Sequence, residues 1–435
     1  MRLASVAVGS SLLLGVPCWA VWGQAPADSL QLHVLQQQAA EVDPRQQQFA
    51  LLDRQTGLRI QNLSAERLPA FSAQAQAQYQ SETFKVPSIG GIQLFPAPSK
   101  DSYDSRLEVE QSILDPTISV RKRVEQATLA QSQAGVRTEL YALRQEVNEA
   151  FFGGALLAEQ RRILALTITD LEQRLTEARV QVREGTALPS DTGTIQATLL
   201  LRRQDEAEVE ARQRAMLIKL SQLVQRQLPA SATFALPDLA SQDAQARQGL
   251  DSLRARPEYQ QFARTRELLS QQRDALSADQ KPRLSAFGQA GYGRPGLNPI
   301  SDTFHGYFLG GLVVRWAPWN WGSTGRARQA LTLQTQIVAS EEEAFTNRLT
   351  RQIQDDLADI DRLDTAQALD DQIVALREAV ATETGLRLHE GVVTASEYVD
   401  RSTDLLQARL SRATHRVEQV EARARLLTTL GLEIQ

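Results

Sequence analysis

The sequence predicts an α + transmembrane β fold, in which two internal repeats each supply a strand pair followed by a long helical hairpin. Three observations lead there: where the prolines fall, how the aliphatic residues are spaced, and the recurrence of short alternating segments and glycine turns in one order. The chain has 435 residues, 42% hydrophobic and 23% charged, too apolar for disorder and long enough for two or three ordinary domains.

Composition narrows the function classes. Lys+Arg 47 against Asp+Glu 52 gives a net charge of −5, which lacks the basic footprint of a nucleic-acid-binding protein. A single cysteine excludes a disulfide framework and a cysteine zinc cluster. The histidines (His33, His305, His389, His415) are far apart, and none opens an H-E-x-x-H motif. A mean hydropathy of −0.32 excludes a polytopic helical membrane protein. No cofactor or metal site is expected.

Met1 and Arg2 precede an apolar run from Leu3 to Trp22, followed by Ala25-Pro26-Ala27. This pattern predicts a secretory signal peptide cut after Ala27. The alternative is an uncleaved anchor, which the polar and small residues in the run disfavour. Cys18 follows Gly15-Val16-Pro17, a poor context for lipidation, so the mature chain is expected to be cysteine-free. Losing residues 1–27 removes Arg2 and no acid, which lowers the net charge from −5 to −6. The protein is expected to work outside the cytoplasm, where ATP and NAD(P)H are absent.

No proline lies between Pro116 and Pro189, and none follows Pro318. Proline breaks helix interiors, so two very long helices are permitted, roughly 117–184 and 322–390. A helix of 68 residues spans ~100 Å. From Leu129 to Val182, positions spaced alternately four and three apart are aliphatic except Gln133, Gly154 and Arg161, which marks a seam facing a partner helix. A helix after Pro189 ends near Gln227. Another spans Ser396 to Leu430, with Val399, Leu406, Leu410, Ala413, Val417, Val420, Ala424 and Leu427 in register. Shorter helices are predicted over 29–66 and 257–279, and 228–256 reads as a connector.

Four segments alternate apolar or small with polar residues: Leu68–Tyr79, Leu107–Ile113, Arg283–Tyr292 and His305–Trp316. Each is close to the ~9–11 residues that a tilted strand needs to cross a bilayer. The intervening 81–103 and 294–304 are Gly-, Pro- and Ser-rich loops.

These elements recur. Pro69-x-Phe71-Ser72-Ala73, Gln76-Ala77 and Tyr79 match Pro282-x-Leu284-Ser285-Ala286, Gln289-Ala290 and Tyr292 at an offset of 213. Leu107, Val109 and Asp115 match Leu312, Val314 and Asn320 at 205, and Glu184-Gly185 with Ser190-Asp191 match Glu390-Gly391 with Ser396-Glu397 at 206. The two long helices have nearly equal length, so both glycine turns are expected at one level, a tip far from the strands.

Four strands cannot close a transmembrane barrel, since such barrels start at eight, and an open edge in lipid leaves backbone groups unsatisfied at several kcal/mol each. Closure is expected from further copies: two give eight strands and three give twelve, of which the trimer is preferred. Trp316, Trp319 and Trp321 stand where the last strand meets the long helix. Tryptophan favours the membrane–water interface, so this junction is read as the periplasmic rim, with packing at a strand–helix corner as the alternative.

With these features in hand, the chain resembles the TolC-like outer-membrane efflux proteins over its mature length. The resemblance rests on the doubled strand-pair and hairpin plan, Trp316-x-x-Trp319-Asn320-Trp321-Gly322, and the turns at Gly185 and Gly391. It implies a homotrimer: a 12-stranded β-barrel in outer-membrane lipid continued by a long periplasmic α-barrel. The implied role is a passive conduit, opened at its tip by a periplasmic adaptor (membrane fusion) protein and an inner-membrane pump, proton-driven or ABC type. No chemistry of its own is implied. On this reading the chain divides into a signal peptide (1–27), N-terminal periplasmic helices (28–66), a first strand pair (67–115), a first hairpin (116–227), an equatorial connector and helix (228–281), a second strand pair (282–317) and a second hairpin (318–435).

Glu397 and Asp400 lie at i,i+3 after the Gly391 turn and share a helix face. They match the acidic positions six and nine after this glycine in the family, at the periplasmic constriction, and Asp191 matches the acid six after Gly185. In a trimer such carboxylates form rings that attract cations; the alternative is acids serving the helix N-terminus. Family members with a side-chain latch carry a Tyr three before the glycine and an Arg two after it. Here those positions are Leu388 and Val393, which implies a hydrophobic plug or a looser constriction.

Three other signals are discounted. Gly291-Tyr292-Gly293-Arg294-Pro295-Gly296 spells G-x-G-x-x-G but leads into a loop with no helix to hold a pyrophosphate. Asp355, Asp356, Asp359, Asp361 and Asp364 read as a solvated or lumen-facing helix surface. Met216 is the one methionine of the mature chain, and no His or Cys ring supports a soft-metal site. The competing function class is a non-pore periplasmic coiled-coil adaptor or envelope spacer, against which the strand pairs and the Trp-rich rim argue.

Overall fold

The computed structural model describes residues 29–83, 99–248, 250–298 and 302–434. The expected signal peptide, with Cys18, and most of the first hairpin loop lie outside the described residues. In chain order the elements are β1 (Ser29–Gln31), α1 (Leu32–Val42), α2 (Gln46–Ala65), β2 (Ala70–Tyr79), β3 (Asp101–Leu114), α3 (Pro116–Glu184), α4 (Pro189–Leu223), β4 (Thr233–Ala235), α5 (Ala240–Gln248), a 3-10 helix (Leu250–Ala255), α6 (Pro257–Ala278), β5 (Arg283–Arg294), β6 (His305–Arg315), α7 (Ser323–His389) and α8 (Ala395–Leu430).

The start of α3 follows from its first residues. Pro116 occupies the first turn, where its missing N–H is no loss, and the Asp115 carboxylate accepts from the Thr117 N–H at 2.8 Å. The helix then runs 69 residues without a break. Of the predicted seam, Leu129, Gln133, Leu157, Arg161 and Val182 are half-buried and the other positions are buried. The seam packs with Phe49 and Leu52 of α2 and Leu223 of α4 around Val136–Leu143, and with Ile195 and Leu199 of α4 and Tyr398 of α8 around Ile168–Ala178, while α7 packs along α8.

The main core lies midway along the long helices. Phe151 and Phe152 of α3 are wholly buried, with ring centroids 5.3 Å apart and edge to face, among Leu32 and Leu35 of α1, Leu220 of α4, Ile360 of α7 and Leu427 of α8. Each such side chain stabilises the fold by about 1.5–3 kcal/mol. A buried polar chain threads this core: Gln36 Nε2 donates to Asn148 Oδ1 at 2.6 Å, and Asn148 Nδ2 donates to Thr428 Oγ1 at 3.2 Å.

Several expectations are corrected. Residues 29–31 are not helical: β1 pairs in parallel with β4, Leu30 opposite Phe234. The connector is not featureless but holds β4, α5 and the 3-10 helix. Phe234 explains the docking, because its ring lies over Gly154 of α3, where no Cβ stands in the way, and edge-on to Phe151 at 5.4 Å. β3 starts at Asp101 rather than Leu107, since Asp101–Tyr79 and Tyr103–Ala77 already pair and the extra residues keep the alternation.

The acidic run on α7 is a solvated surface except at Asp356, although most of its carboxylates are also ion-paired. Asp356 is fully buried and accepts from Arg425 Nε at 2.5 Å and Gln352 at 3.0 Å. Asp359 also meets Arg425, at 3.0 Å, while Asp361 meets Arg247 of α5 at 3.2 Å and Asp364 meets Arg423 at 2.9 Å. Periodicity cannot reveal this, because the arginines come from α5 and α8.

Candidate functional site

β2, β3, β5 and β6 form one antiparallel sheet in that order, so β2 and β6 are its edges. The sequence repeat is also a register repeat. Phe71 faces Val109 and Ala73 faces Leu107 in the first hairpin, as Leu284 faces Val314 and Ala286 faces Leu312 in the second. Tyr79 pairs with Asp101 just as Tyr292 pairs with Gly306, the equivalent position at offset 205, so the difference between the two offsets lies in the hairpin connection.

Because strand side chains alternate, the register sorts the sheet into two faces. One carries Phe71, Tyr79, Leu107, Tyr292, Phe308 and Leu312, and it is bare: Phe71 is 83% and Phe308 87% exposed. The other carries Gln74, Gln76, Asp104, Arg106, Glu108 and Gln289, crossed by ion pairs such as Arg315–Glu110 at 2.9 Å. An exposed apolar face of this extent on a sheet marks contact with lipid or protein. Among the described residues no helix is long and apolar enough to cross a membrane.

At the end of the sheet away from the hairpin loops, Trp316, Trp319 and Trp321 are all exposed on the chain. Trp316 Nε1 donates to the carbonyl of Gln280 at 3.1 Å, and the Trp319 and Trp321 rings meet edge to face at 6.0 Å. Trp321 and Gly322 are consecutive left-handed residues, with φ of 55° and 73°, which swing the chain from β6 into α7. A bulky residue adopts this conformation at a cost of about 1–2 kcal/mol.

The opposite end is the helical tip. Gly185 and Gly391 terminate α3 and α7 with φ of 76° and 71°, and each turn is closed by the same bond: Thr186 N–H to Gln181 O in the first and Val392 N–H to Arg387 O in the second, both at 2.9 Å. Gln181 Nε2 donates to His389 O at 3.0 Å, which sets the turns side by side. Asp191 accepts from the Leu188 N–H at 3.2 Å and so caps α4. The Glu397 N–H donates to Thr394 Oγ1 at 3.3 Å in the corresponding first turn of α8. Glu397 and Asp400 are exposed, and no hydrogen bond or ion pair among the described residues joins either to Asp191.

Leu388 is half-buried against Ile168, Leu171, Leu175, Ile195 and Tyr398, so it belongs to the packed core behind the tip. That core contains polar residues the sequence reading missed. Tyr398 is buried, its hydroxyl donates to the Asp170 carboxylate, and the Arg174 guanidinium lies over its ring at 5.5 Å. Burial, then the Asp170 carboxylate, pushes the Tyr398 hydroxyl well above the ordinary tyrosine range. Asp170 and Arg174 stand at i,i+4 on α3, a spacing that could have flagged them.

No protein-family model and no curated protein sequence matches the chain. Solved structures do. The chain is similar to CusC, described in connection with transmembrane channel formation, at 14% identity over 92% of both chains with a TM-score of 0.68. It is similar to the outer membrane protein VceC from Vibrio cholerae at 13% identity over 93% of this chain and 97% of that one, TM-score 0.67. The open state of the MtrE outer membrane channel of Neisseria gonorrhoeae gives 16% identity, 93% and 89% coverage, and a TM-score of 0.65. The chain therefore has the fold of the TolC-like outer-membrane channels.

Proposed function

We propose that the protein is a trimeric outer-membrane channel of a tripartite efflux pump or type I secretion system. It acts as a passive conduit, not an enzyme, opened at its periplasmic tip by an adaptor and an inner-membrane pump of proton-driven or ABC type. The observation that carries this reading is the two-faced sheet, bare and apolar on one side, polar on the other, with both edges open. β2 and β6 run antiparallel to each other, so β6 of one copy can pair with β2 of the next without breaking the alternation. Three copies then give twelve strands, apolar face to lipid and polar face to the lumen.

On this reading the three tryptophans anchor the periplasmic rim, the long helices form the α-barrel, and Asp191, Glu397 and Asp400 ring the tip between the Gly185 and Gly391 turns. A non-pore coiled-coil spacer gives no reason for a bare apolar sheet.

The test is direct. Purified protein in detergent should be a trimer by multi-angle light scattering and should conduct ions after insertion into planar bilayers. A monomer extracted from the periplasm without detergent, and silent in bilayers, overturns the proposal.

A further inference from the structure

Gln74, Arg106, Gly291 and Tyr307 occupy one register row across all four strands of the sheet. Their side-chain positions lie on the polar face, and the row is bonded from edge to edge. Arg106 Nη2 donates to Gln74 Oε1 at 2.6 Å, Arg106 Nη1 donates to Asp104 Oδ2 at 3.1 Å, and the Tyr307 hydroxyl donates to Asp104 Oδ1 at 2.5 Å.

The last bond skips a strand, since Tyr307 is on β6 and Asp104 on β3, with β5 between. It is possible because β5 has no side chain at that point. A Cβ on Gly291 would overlap the Tyr307 ring, and a Cβ on Gly293 would come within 2.7 Å of Tyr103 O and 3.0 Å of Asp104 Oδ1. The G-x-G of the discounted phosphate-loop motif is thus the bed on which a tyrosine lies flat.

We infer that Gly291 and Tyr307 set the bore and the charge of the channel at this row, which makes Tyr307 a specificity-determining residue for permeating ions; the inference rests on the channel reading above. Laid over Gly291, the ring follows the wall instead of projecting from it. Its hydroxyl, with Arg106, covers Asp104, so each protomer presents a closed polar belt in place of an open carboxylate. A methyl group at 291 removes the bed, and the ring has only the lumen to turn into.

The experiment is single-channel recording of the full-length protein in planar bilayers. Gly291→Ala should lower conductance relative to wild type. Gly288→Ala, on the apolar face of the same strand with its nearest neighbour Val109 Cγ1 at 3.4 Å, should leave it unchanged. Tyr307→Ala should raise conductance and, by uncovering Asp104, shift the reversal potential towards cations. The double variant Gly291→Ala/Tyr307→Ala should conduct like Tyr307→Ala. A conducting wild type with Gly291→Ala at wild-type conductance, or with Tyr307→Ala unchanged in both conductance and reversal potential, overturns the inference and leaves the channel reading intact. If Gly291→Ala does not assemble, Tyr307→Ala alone decides. A wild type that never conducts overturns the channel reading, and this inference with it.

Discussion

The hydroxyl of Tyr398, seven residues beyond the Gly391 turn, donates its hydrogen bond to the carboxylate of Asp170, fifteen residues before the Gly185 turn. A buried tyrosine and a half-exposed carboxylate therefore tie α8 of the second repeat to α3 of the first, behind the tip. A hydrogen bond to a charged group contributes about 1.5–3 kcal/mol. A double-mutant cycle of Tyr398→Phe and Asp170→Asn in denaturant unfolding should return a coupling of that size. Because burial holds the hydroxyl protonated beyond the ordinary tyrosine range, Tyr398 should remain a donor at alkaline pH, where an exposed tyrosine ionises. Coupling indistinguishable from zero would reduce the pair to packing.

The tip carboxylates stand in two settings. Asp191 accepts from the Leu188 N–H in the first turn of α4, whereas the carboxylates of Glu397 and Asp400 are exposed; on the proposed channel reading all three ring the tip. Glu397→Ala with Asp400→Ala should weaken cation selectivity and block by multivalent cations in bilayer recordings, with little change in helix stability. Asp191→Ala should weaken selectivity in the same direction and in addition lose about 0.3–1 kcal/mol of helix stability, since its carboxylate stands in the first turn of α4. An unchanged reversal potential in the Glu397/Asp400 variant would remove those two residues from the conduction path.

Glu421 of α8 is half-buried near Glu149 and Glu418, and Arg425, one turn further on, is already committed to Asp356 and Asp359. Burial first, then these like charges, raises its carboxyl above the ordinary glutamate value. A raised acid binds its proton more tightly folded than unfolded, so its contribution to stability is full below the unfolded pKa. That contribution is lost as pH rises through the folded pKa. Glu421→Gln should therefore be more stable than wild type at neutral pH and should lose that advantage near pH ~4. Thermal unfolding of both proteins at the two pH values checks the sign.

What the sequence made legible follows from which forces are local. The long helices can be read from proline placement and seam spacing, and the strand pairs from alternation, because each element writes its own period. The repeat even carried the register, Phe71 over Val109 and Leu284 over Val314. The illegible parts depend on partners distant in sequence. Three residues of β1 become a strand only because β4 is offered 204 positions later, with Ser29 opposite Thr233. Asp356 looked solvated because Arg425 is on another helix, and Tyr398 drew no notice because its partner Asp170 is 228 positions away.

Two helical glycines bring local preference and long-range packing into opposition. Exchanging glycine for alanine inside a helix stabilises it by about 0.8–1.0 kcal/mol when nothing else changes. Gly57 of α2 meets that condition, since a Cβ there has no neighbour within 4 Å. Gly154 of α3 does not: its Cβ would stand 2.5 Å from Cζ and 2.8 Å from Cε1 of Phe234. That ring cannot swing aside freely, because it is edge-on to Phe151 and its backbone is paired to β1. Overpacking of this kind costs about 1–3 kcal/mol, enough to outweigh the helix preference. Gly57→Ala should therefore raise the unfolding midpoint and Gly154→Ala lower it. Adding Phe234→Leu to Gly154→Ala should recover part of the loss, because the smaller side chain makes room for the methyl group. A Gly154→Ala variant as stable as Gly57→Ala would mean that β4 does not press on α3 as described.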